Sequence, residues 1–102
     1  MSTDTDIVID EKIKRVVKEP SKYNVIMLND DLTPVEWVIG VLKEIFKHSD
    51  KDAEALTMQI HVEGSAVAGT YQFEIAEQKT NEAVNVSRNH GFPLGLKIEE
   101  AE

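Results

Sequence analysis

The stretch YNVIMLNDDLTPVE, residues 23–36, decides where the first strand ends and where the first helix begins. Residues 23–28 are mostly apolar and rich in β-favouring side chains, which predicts a strand. Asn29, Asp30 and Asp31 follow, and such side chains favour turns because they hydrogen-bond nearby backbone groups. We therefore predict a strand that runs directly into a polar turn.

A helix start follows the polar turn. Thr33 can cap a helix, Pro34 is tolerated at the first helical position, and Glu36 can close a capping box. The helix is expected to reach about Lys47, because apolar residues recur along it at spacings of three and four. The residues on this predicted core face are Val35, Val38, Leu42, Ile45 and Phe46.

A second helix is predicted after Ser49 or Asp50, either of which can serve as its N-cap. The helix should end near Gly64, since glycine commonly follows the last helical residue. The inward residues of this helix are Ala53, Leu56 and Ile60. His61 is therefore expected in its last turn.

Apolar and polar residues alternate from residue 67 to residue 75, which is the period of a strand with one buried face. The predicted inward side chains are Val67, Tyr71, Phe73 and Ile75. Gly69 interrupts the alternation, and an isolated glycine in a strand can mark a β-bulge.

A third helix is predicted over residues 77–90, because the segment has no glycine or proline and Gly91 closes it. Its apolar stripe is thin and contains Ala76, Ala83 and Val84. Residues 94–98 alternate again and predict a short last strand. The order β-α-α-β-α-β favours an α+β fold, with three helices packed on a three-stranded, antiparallel-type sheet in two layers.

Composition narrows the possible functions. The 102 residues suffice for one domain, which we assign to residues 20–102, and we expect residues 1–19 to be a flexible N-terminal extension. The net charge of −8 comes from 11 basic and 19 acidic residues, so nucleic acids and anionic membranes are poor partners. The sequence has no cysteine and no signal peptide or long apolar run, which fits a cytoplasmic protein.

The residue inventory argues against catalysis. There is no cysteine nucleophile, and the glycine-rich or histidine-rich motifs of common enzyme sites are missing. His48, His61 and His90 fall on separate elements, so we expect no bound metal and no cofactor. Asp30 or Asp31 could still join His61 as metal ligands, which keeps a metal-assisted hydrolase open as a remote alternative.

Asn29, Asp30 and Asp31 also have a plain structural interpretation. They could form only a turn that supplies negative charge near the start of the following helix. From the residues alone this interpretation is favoured, because Asn and Asp commonly precede helices.

Several spaced motifs resemble one known family. They are Tyr23-x-Val-Ile-x-Leu-Asn-Asp-Asp-x-Thr-Pro34, Glu36-x-Val38, His61-x-x-Gly64, Gly69, Glu74-x-Ala-Glu-x-Lys79 and Pro93-Leu94. Their order and spacing resemble the ClpS adaptors of bacterial N-degron proteolysis over roughly residues 20 to 100. The resemblance implies an adaptor, not an enzyme, that binds proteins with N-terminal Leu, Phe, Tyr or Trp. It also implies docking on the N-terminal domain of the ClpA unfoldase, with degradation of the substrate by ClpP, and we expect a monomer.

The resemblance also implies roles for individual residues. The substrate's α-amino group would be bound by Asn29, Asp30, Asp31 and His61. The pocket for the substrate side chain would be formed by Thr33, Val35, Val38, Thr57, Ile60 and Leu94. The surface for the unfoldase would include Glu74, Glu77 and Lys79, and the N-terminal extension would engage the unfoldase during delivery.

Two positions depart from the family pattern. Val35 stands at a pocket rim position where the family often has methionine, and Thr57 replaces another methionine of the pocket wall. We therefore expect some tolerance for N-terminal Ile or Val. The alternative from another class is a general protein-interaction module of α+β type that does not recognise N-termini.

Overall fold

The computed structural model describes residues 21–101, and the predicted N-terminal extension lies outside this range. Six elements follow one another in the predicted order β-α-α-β-α-β. They are β1 (Lys22–Leu28), α1 (Val35–Glu44), α2 (Asp50–Glu63), β2 (Ser65–Gln72), α3 (Phe73–Asn89) and β3 (Gly95–Glu100). Three helices and a three-stranded antiparallel sheet confirm the predicted α+β fold.

The sheet has β1 at its centre, in the order β2-β1-β3, and both pairings are antiparallel. Val25 and Met27 are fully buried, whereas the alternate residue Ile26 is only partly buried. Side chains two residues apart share one face of a strand, so this face of β1 meets the helices and forms the centre of the core.

A β-bulge in β2 changes which side chains face the core. Val25 pairs with Gly69 but Ile26 pairs with Val67, so Ala68 is the extra residue, and the bulge predicted around Gly69 is confirmed. Ala66 and the extra residue Ala68 are buried, and Val67 between them is 42% exposed. The prediction that Val67 faces the core was wrong because the extra residue reverses the alternation of the strand.

The third helix begins earlier than the sequence predicts. Phe73 and Ile75 belong to α3 and are 45% and 43% exposed, so their assignment to a strand was wrong. A few alternating residues fit a helical first turn as well as a strand end. The buried side chains of α3 are small ones, from Ala76, Thr80, Ala83 and Ser87, which explains why the apolar stripe looks thin in the sequence.

Helix α1 starts and ends differently from the prediction. Its N-cap is Pro34, no side chain caps it, and the Thr33 hydroxyl donates instead to Asp30. The predicted capping box is therefore not formed. The helix ends at Glu44 rather than near Lys47, which has a left-handed backbone with φ of 64°. Continuing the helix would require right-handed angles there.

A hydrogen bond between side chains joins α1 to α3. The indole Nε1 of Trp37 donates to the hydroxyl of Ser87 at 2.8 Å, and Ser87 is fully buried. His90 and Phe92 lie beside the indole, with ring centroids 4.5 and 5.2 Å from it. This contact fixes one end of α1 against α3.

Replacing the buried hydroxyl should destabilise the protein. Ser87→Ala is expected to lower the free energy of unfolding by about 1–2 kcal/mol, because the indole N–H loses its acceptor in a partly buried site. Urea unfolding followed by the fluorescence of the single tryptophan measures the change. Ser21→Ala, at an exposed position before β1, is the control, and equal stability of the two variants would contradict the assigned role of the bond.

Candidate functional site

A cavity of about 230 Å³ lies where the end of β1, the start of α1 and the last turns of α2 meet. It is lined by Leu28, Asn29, Asp30, Asp31, Thr33, Val35, Val38, Thr57, Ile60, His61 and Leu94. All ten residues assigned by sequence to the α-amino group and the side-chain pocket therefore lie together. Leu28 was not singled out, although its place directly before Asn29 could have suggested it.

A backbone hydrogen bond holds the polar turn next to α2. The amide of Asn29 donates to the carbonyl oxygen of Gly64 at 2.9 Å. Gly64 has φ of 95° and ends α2, a conformation that glycine adopts without strain. His61 lies in the last turn of that helix. The bond thus brings two segments distant in sequence to the same rim.

The carboxylate of Asp30 organises the turn. One of its oxygens accepts hydrogen bonds from the amides of Leu32 and Thr33, and the other accepts from the Thr33 hydroxyl, each at 2.8 Å. Partial burial raises the pKa of Asp30, but these three hydrogen bonds outweigh it and hold the pKa below its ordinary value. Asp30 is therefore ionised at neutral pH and both stabilises the loop and places a negative charge at the cavity.

The floor of the cavity is apolar. Val38, Ile60 and Leu94 are all less than a tenth exposed. Thr57 is buried too, and its hydroxyl donates to the carbonyl of Ala53 in its own helix at 2.7 Å. Because that hydroxyl proton is already bonded, Thr57 adds no unpaired donor to the floor.

The rim differs from the floor in exposure and polarity. Asn29, Asp31 and His61 are exposed. Val35 is 57% exposed, so its predicted place on the core face of α1 was wrong. An ionised carboxylate and several hydrogen-bond acceptors thus surround the mouth of an apolar cavity. This arrangement suits a ligand with a cationic head and an apolar tail.

Within residues 21–101, no three side chains of the types that bind metal ions lie close enough to hold one. Asp30 is also engaged with its own loop. In the same part of the chain, no helix has both the length and the apolar character needed to cross a membrane.

The sequence matches the family described as "ATP-dependent Clp protease adaptor protein ClpS" over residues 18–97. The chain belongs to the ClpS family. It is 36% identical over 98 residues to the ClpS adapter of Zymomonas mobilis, covering 96% of this chain and 92% of that protein. It is 42% identical over 82 residues to the ClpS adapter of Treponema denticola, covering 80% and 81% of the two proteins.

A solved structure of a ClpS relative has the same fold. The structure of Agrobacterium tumefaciens ClpS2 bound to L-phenylalaninamide is similar with a TM-score of 0.79 and 40% sequence identity. The match covers 81% of this chain and all of that chain. Membership of the ClpS family makes this protein an adaptor of the ATP-dependent Clp protease and not an enzyme. The hydrolase alternative is therefore set aside.

The residues predicted to contact the unfoldase lie outside the cavity, on α3. Glu74 and Glu77 are exposed. Lys79 is half-buried, and its ammonium donates to the carbonyl oxygen of Ile45 at 2.8 Å while lying 5.5 Å from the ring centre of Tyr71. In this ClpS-family fold Lys79 therefore stabilises the end of α1, a role that the sequence did not indicate.

Proposed function

We propose that the cavity binds the free N-terminal residue of substrate proteins that begin with Leu, Phe, Tyr or Trp. The observation that carries this proposal is the joining of an acceptor-rich rim to an apolar floor in one cavity. The ligand named for the ClpS2 relative supports it, since L-phenylalaninamide combines a free α-amino group with a phenyl side chain.

The rim can replace water around an ammonium group. A free α-amino group has a pKa of about 7.7–8.0, so it is mostly charged at neutral pH and needs acceptors when it is desolvated. The side-chain oxygen of Asn29 and a neutral imidazole of His61 can accept hydrogen bonds. The ionised Asp30 and the exposed Asp31 add negative potential beside them.

The floor supplies the apolar part of the binding energy. Burying a Leu or Phe side chain contributes roughly 1.5–3 kcal/mol, and each hydrogen bond to a charged group roughly 1.5–3 kcal/mol. After the entropy lost on association, a few such contacts reach about micromolar affinity, near −8 kcal/mol. At this affinity the ligand binds reversibly, and no covalent bond is formed or broken.

Delivery requires a second surface. We assign the contact with the N-terminal domain of a ClpA-type unfoldase to Glu74, Glu77 and Lys79, and ClpP then degrades the substrate. Glu74 and Glu77 lie three residues apart, so they share one face of α3 and are both exposed. We also propose that the protein acts in the cytoplasm and as a monomer.

A degradation assay tests binding and delivery together. With ClpA, ClpP and ATP, the protein should accelerate loss of a fluorescent reporter that begins with Phe and leave a reporter that begins with Gly unaffected. Glu74→Lys with Glu77→Lys should slow delivery while peptide binding is retained. Glu54→Lys with Glu100→Lys reverses the same amount of charge at exposed positions and is the control. Equal rates with and without the protein would contradict the function.

Val35 should set the tolerance for β-branched N-termini. Val35→Met is expected to weaken a peptide beginning with Ile by roughly fivefold or more relative to one beginning with Phe, because the longer rim side chain crowds a ligand that is branched at Cβ and such overpacking costs about 1–3 kcal/mol. Competition binding measures the ratio. Val62→Met, at an exposed position of α2 outside the cavity, is the matched control. An unchanged Ile-to-Phe ratio in Val35→Met would show that Val35 does not determine selectivity.

A further inference from the structure

A second concavity, the α1–α3 groove, has a volume of about 320 Å³. It is lined by Glu36, Trp37, Gly40, Val41, Glu44, Ile45, Glu82 and Val86. None of these residues lines the cavity at the end of β1. The groove is therefore separate from the site described above, and both can be occupied at once.

Two side-chain hydrogen bonds, one near each end of the groove, link the two helices. Trp37 bonds Ser87 at one end, and Lys79 bonds Ile45 at the other. Between these contacts lies Gly40, where an added Cβ would meet no atom within 4 Å. The absence of a side chain at Gly40 therefore leaves space between α1 and α3.

The groove combines an apolar floor with an acidic rim. Trp37, Val41 and Val86 contribute apolar surface. The carboxylates of Glu36, Glu44 and Glu82 are exposed along the rim. Within residues 21–101 the salt bridges join Lys43 to Asp50 and Lys97 to Glu99, so they do not neutralise this rim. A matching occupant must present apolar side chains together with positive charge.

One segment of the same chain has this composition. Residues 12–18 read KIKRVVK, which is three apolar and four basic residues with no acid among them. The segment therefore holds four of the 11 basic residues of the chain. Within the segment Ile13 and Val16 are three residues apart, a spacing typical of one face of an amphipathic helix. So short a helix is marginal in water unless it packs against an apolar surface.

The connection is long enough to reach the groove. Lys22 pairs with Gln72 in the sheet, so the chain enters β1 beside the first residue of α3, Phe73. Glu82 and Val86 lie about 13 and 20 Å further along that helix at 1.5 Å per residue. The four residue steps from Lys18 to Lys22 span at most about 14 Å, which brings Lys18 level with Glu82, and the rest of the segment then extends toward Val86.

We propose that residues 12–18 dock into the α1–α3 groove of the same chain, with their basic side chains facing Glu36, Glu44 and Glu82. Docking there covers the apolar floor beside Trp37 and leaves the cavity at the end of β1 open. The N-terminal segment is thereby held on the domain until a competing acidic or apolar surface displaces it, and ligand binding in the cavity does not require its release.

A spin label can report this docking in the full chain. Because the protein has no cysteine, Glu11→Cys creates a unique site for a nitroxide beside the segment. At about 0.1 M salt, the amide NMR signals of Gly40, Val41, Glu82 and Val86 should lose intensity selectively. At about 1 M salt the Debye length shortens from about 10 to 3 Å, so the loss should be much smaller.

Two independent changes to the groove should abolish the intensity loss. Gly40→Phe fills the groove and tests the packing. Glu36→Lys with Glu82→Lys reverses the charge of two rim residues and tests charge complementarity while leaving the groove open. Glu54→Lys with Glu100→Lys, the same charge change elsewhere, should leave the loss intact. Retained chemical-shift dispersion identifies variants that fold.

Two results would overturn the proposal. One is an absent or uniform intensity loss across the domain in the unaltered groove. The other comes from a mixture of two samples, ¹⁵N-labelled protein without a nitroxide and spin-labelled protein at natural isotope abundance. An equal intensity loss in the ¹⁵N-labelled protein would show that the segment docks on a second copy. Selective loss that is confined to the spin-labelled molecule supports docking within one chain.

Discussion

Acetylation of the substrate amine should nearly abolish binding. A peptide that begins with free Phe should bind the cavity, and its N-acetylated counterpart should bind at least about a hundredfold more weakly, because two lost hydrogen bonds to a charged group are worth roughly 3 kcal/mol or more. Acetylation removes the positive charge and two of the N–H groups from which Asn29 and His61 would accept hydrogen bonds. Isothermal titration calorimetry with both peptides measures the ratio.

The control must separate loss of charge from added bulk. An N-ethylated peptide keeps the positive charge while adding a group similar in size to acetyl, so it should retain much more affinity than the acetylated peptide. A free-amine peptide that begins with Gly isolates the contribution of the apolar floor. Equal affinity of the free and acetylated peptides would rule out the assignment of the rim to the α-amino group.

Asp30 and Asp31 are neighbours of the same type, yet their replacement should have very different effects. Asp30→Ala leaves two amides and the Thr33 hydroxyl without their acceptor, so the free energy of unfolding should fall by about 1–3 kcal/mol. Because the turn then loses its shape, affinity for a Phe peptide should fall by roughly tenfold or more. Asp31→Ala removes an exposed charge and should change either quantity by about 1 kcal/mol or less. Urea unfolding measures the change in the free energy of unfolding, and calorimetry measures the change in affinity.

The dependence of stability on pH provides a separate test of Asp30. Its pKa is lowered in the folded protein, so its contribution to stability is fully present above the unfolded-state pKa of about 3.9 and is lost as the pH falls through the lower folded-state pKa. The stability difference between the native protein and Asp30→Ala should therefore shrink below about pH 4. A constant difference for Asp30→Ala would contradict the hydrogen-bonded role of this carboxylate.

Elements with strong local signals were predictable from the sequence. The turn at Asn29, Asp30 and Asp31, the N-cap at Ser49 and the helix end at Gly64 all depend on interactions between residues close in the chain. The boundary between β2 and α3 was misplaced, because the alternation around Phe73 fits both a strand end and a helix start. Such a boundary depends on packing against the rest of the sheet.

The residues that line the cavity could be predicted from the sequence, but their arrangement in space could not. From its residues alone, the polar turn could have been only a turn, and the motif resemblance linked it to His61. The structure places the two segments at one cavity through the bond from Asn29 to Gly64. Lys79 shows the opposite case, because its bond to Ile45, 34 residues away, leaves no signature in the sequence.

The sequence by itself determined that Asn29, Asp30 and Asp31 form a polar turn before a helix and that His61 lies near the end of another. Hydrogen bonds within a few residues are enough to specify such features. Only the tertiary structure decided that these residues share a cavity, that Val35 lies at its exposed rim and that Asp30 is engaged with its own loop. The physical reason is that burial and long-range contacts depend on how distant segments pack, and a local pattern does not specify that packing.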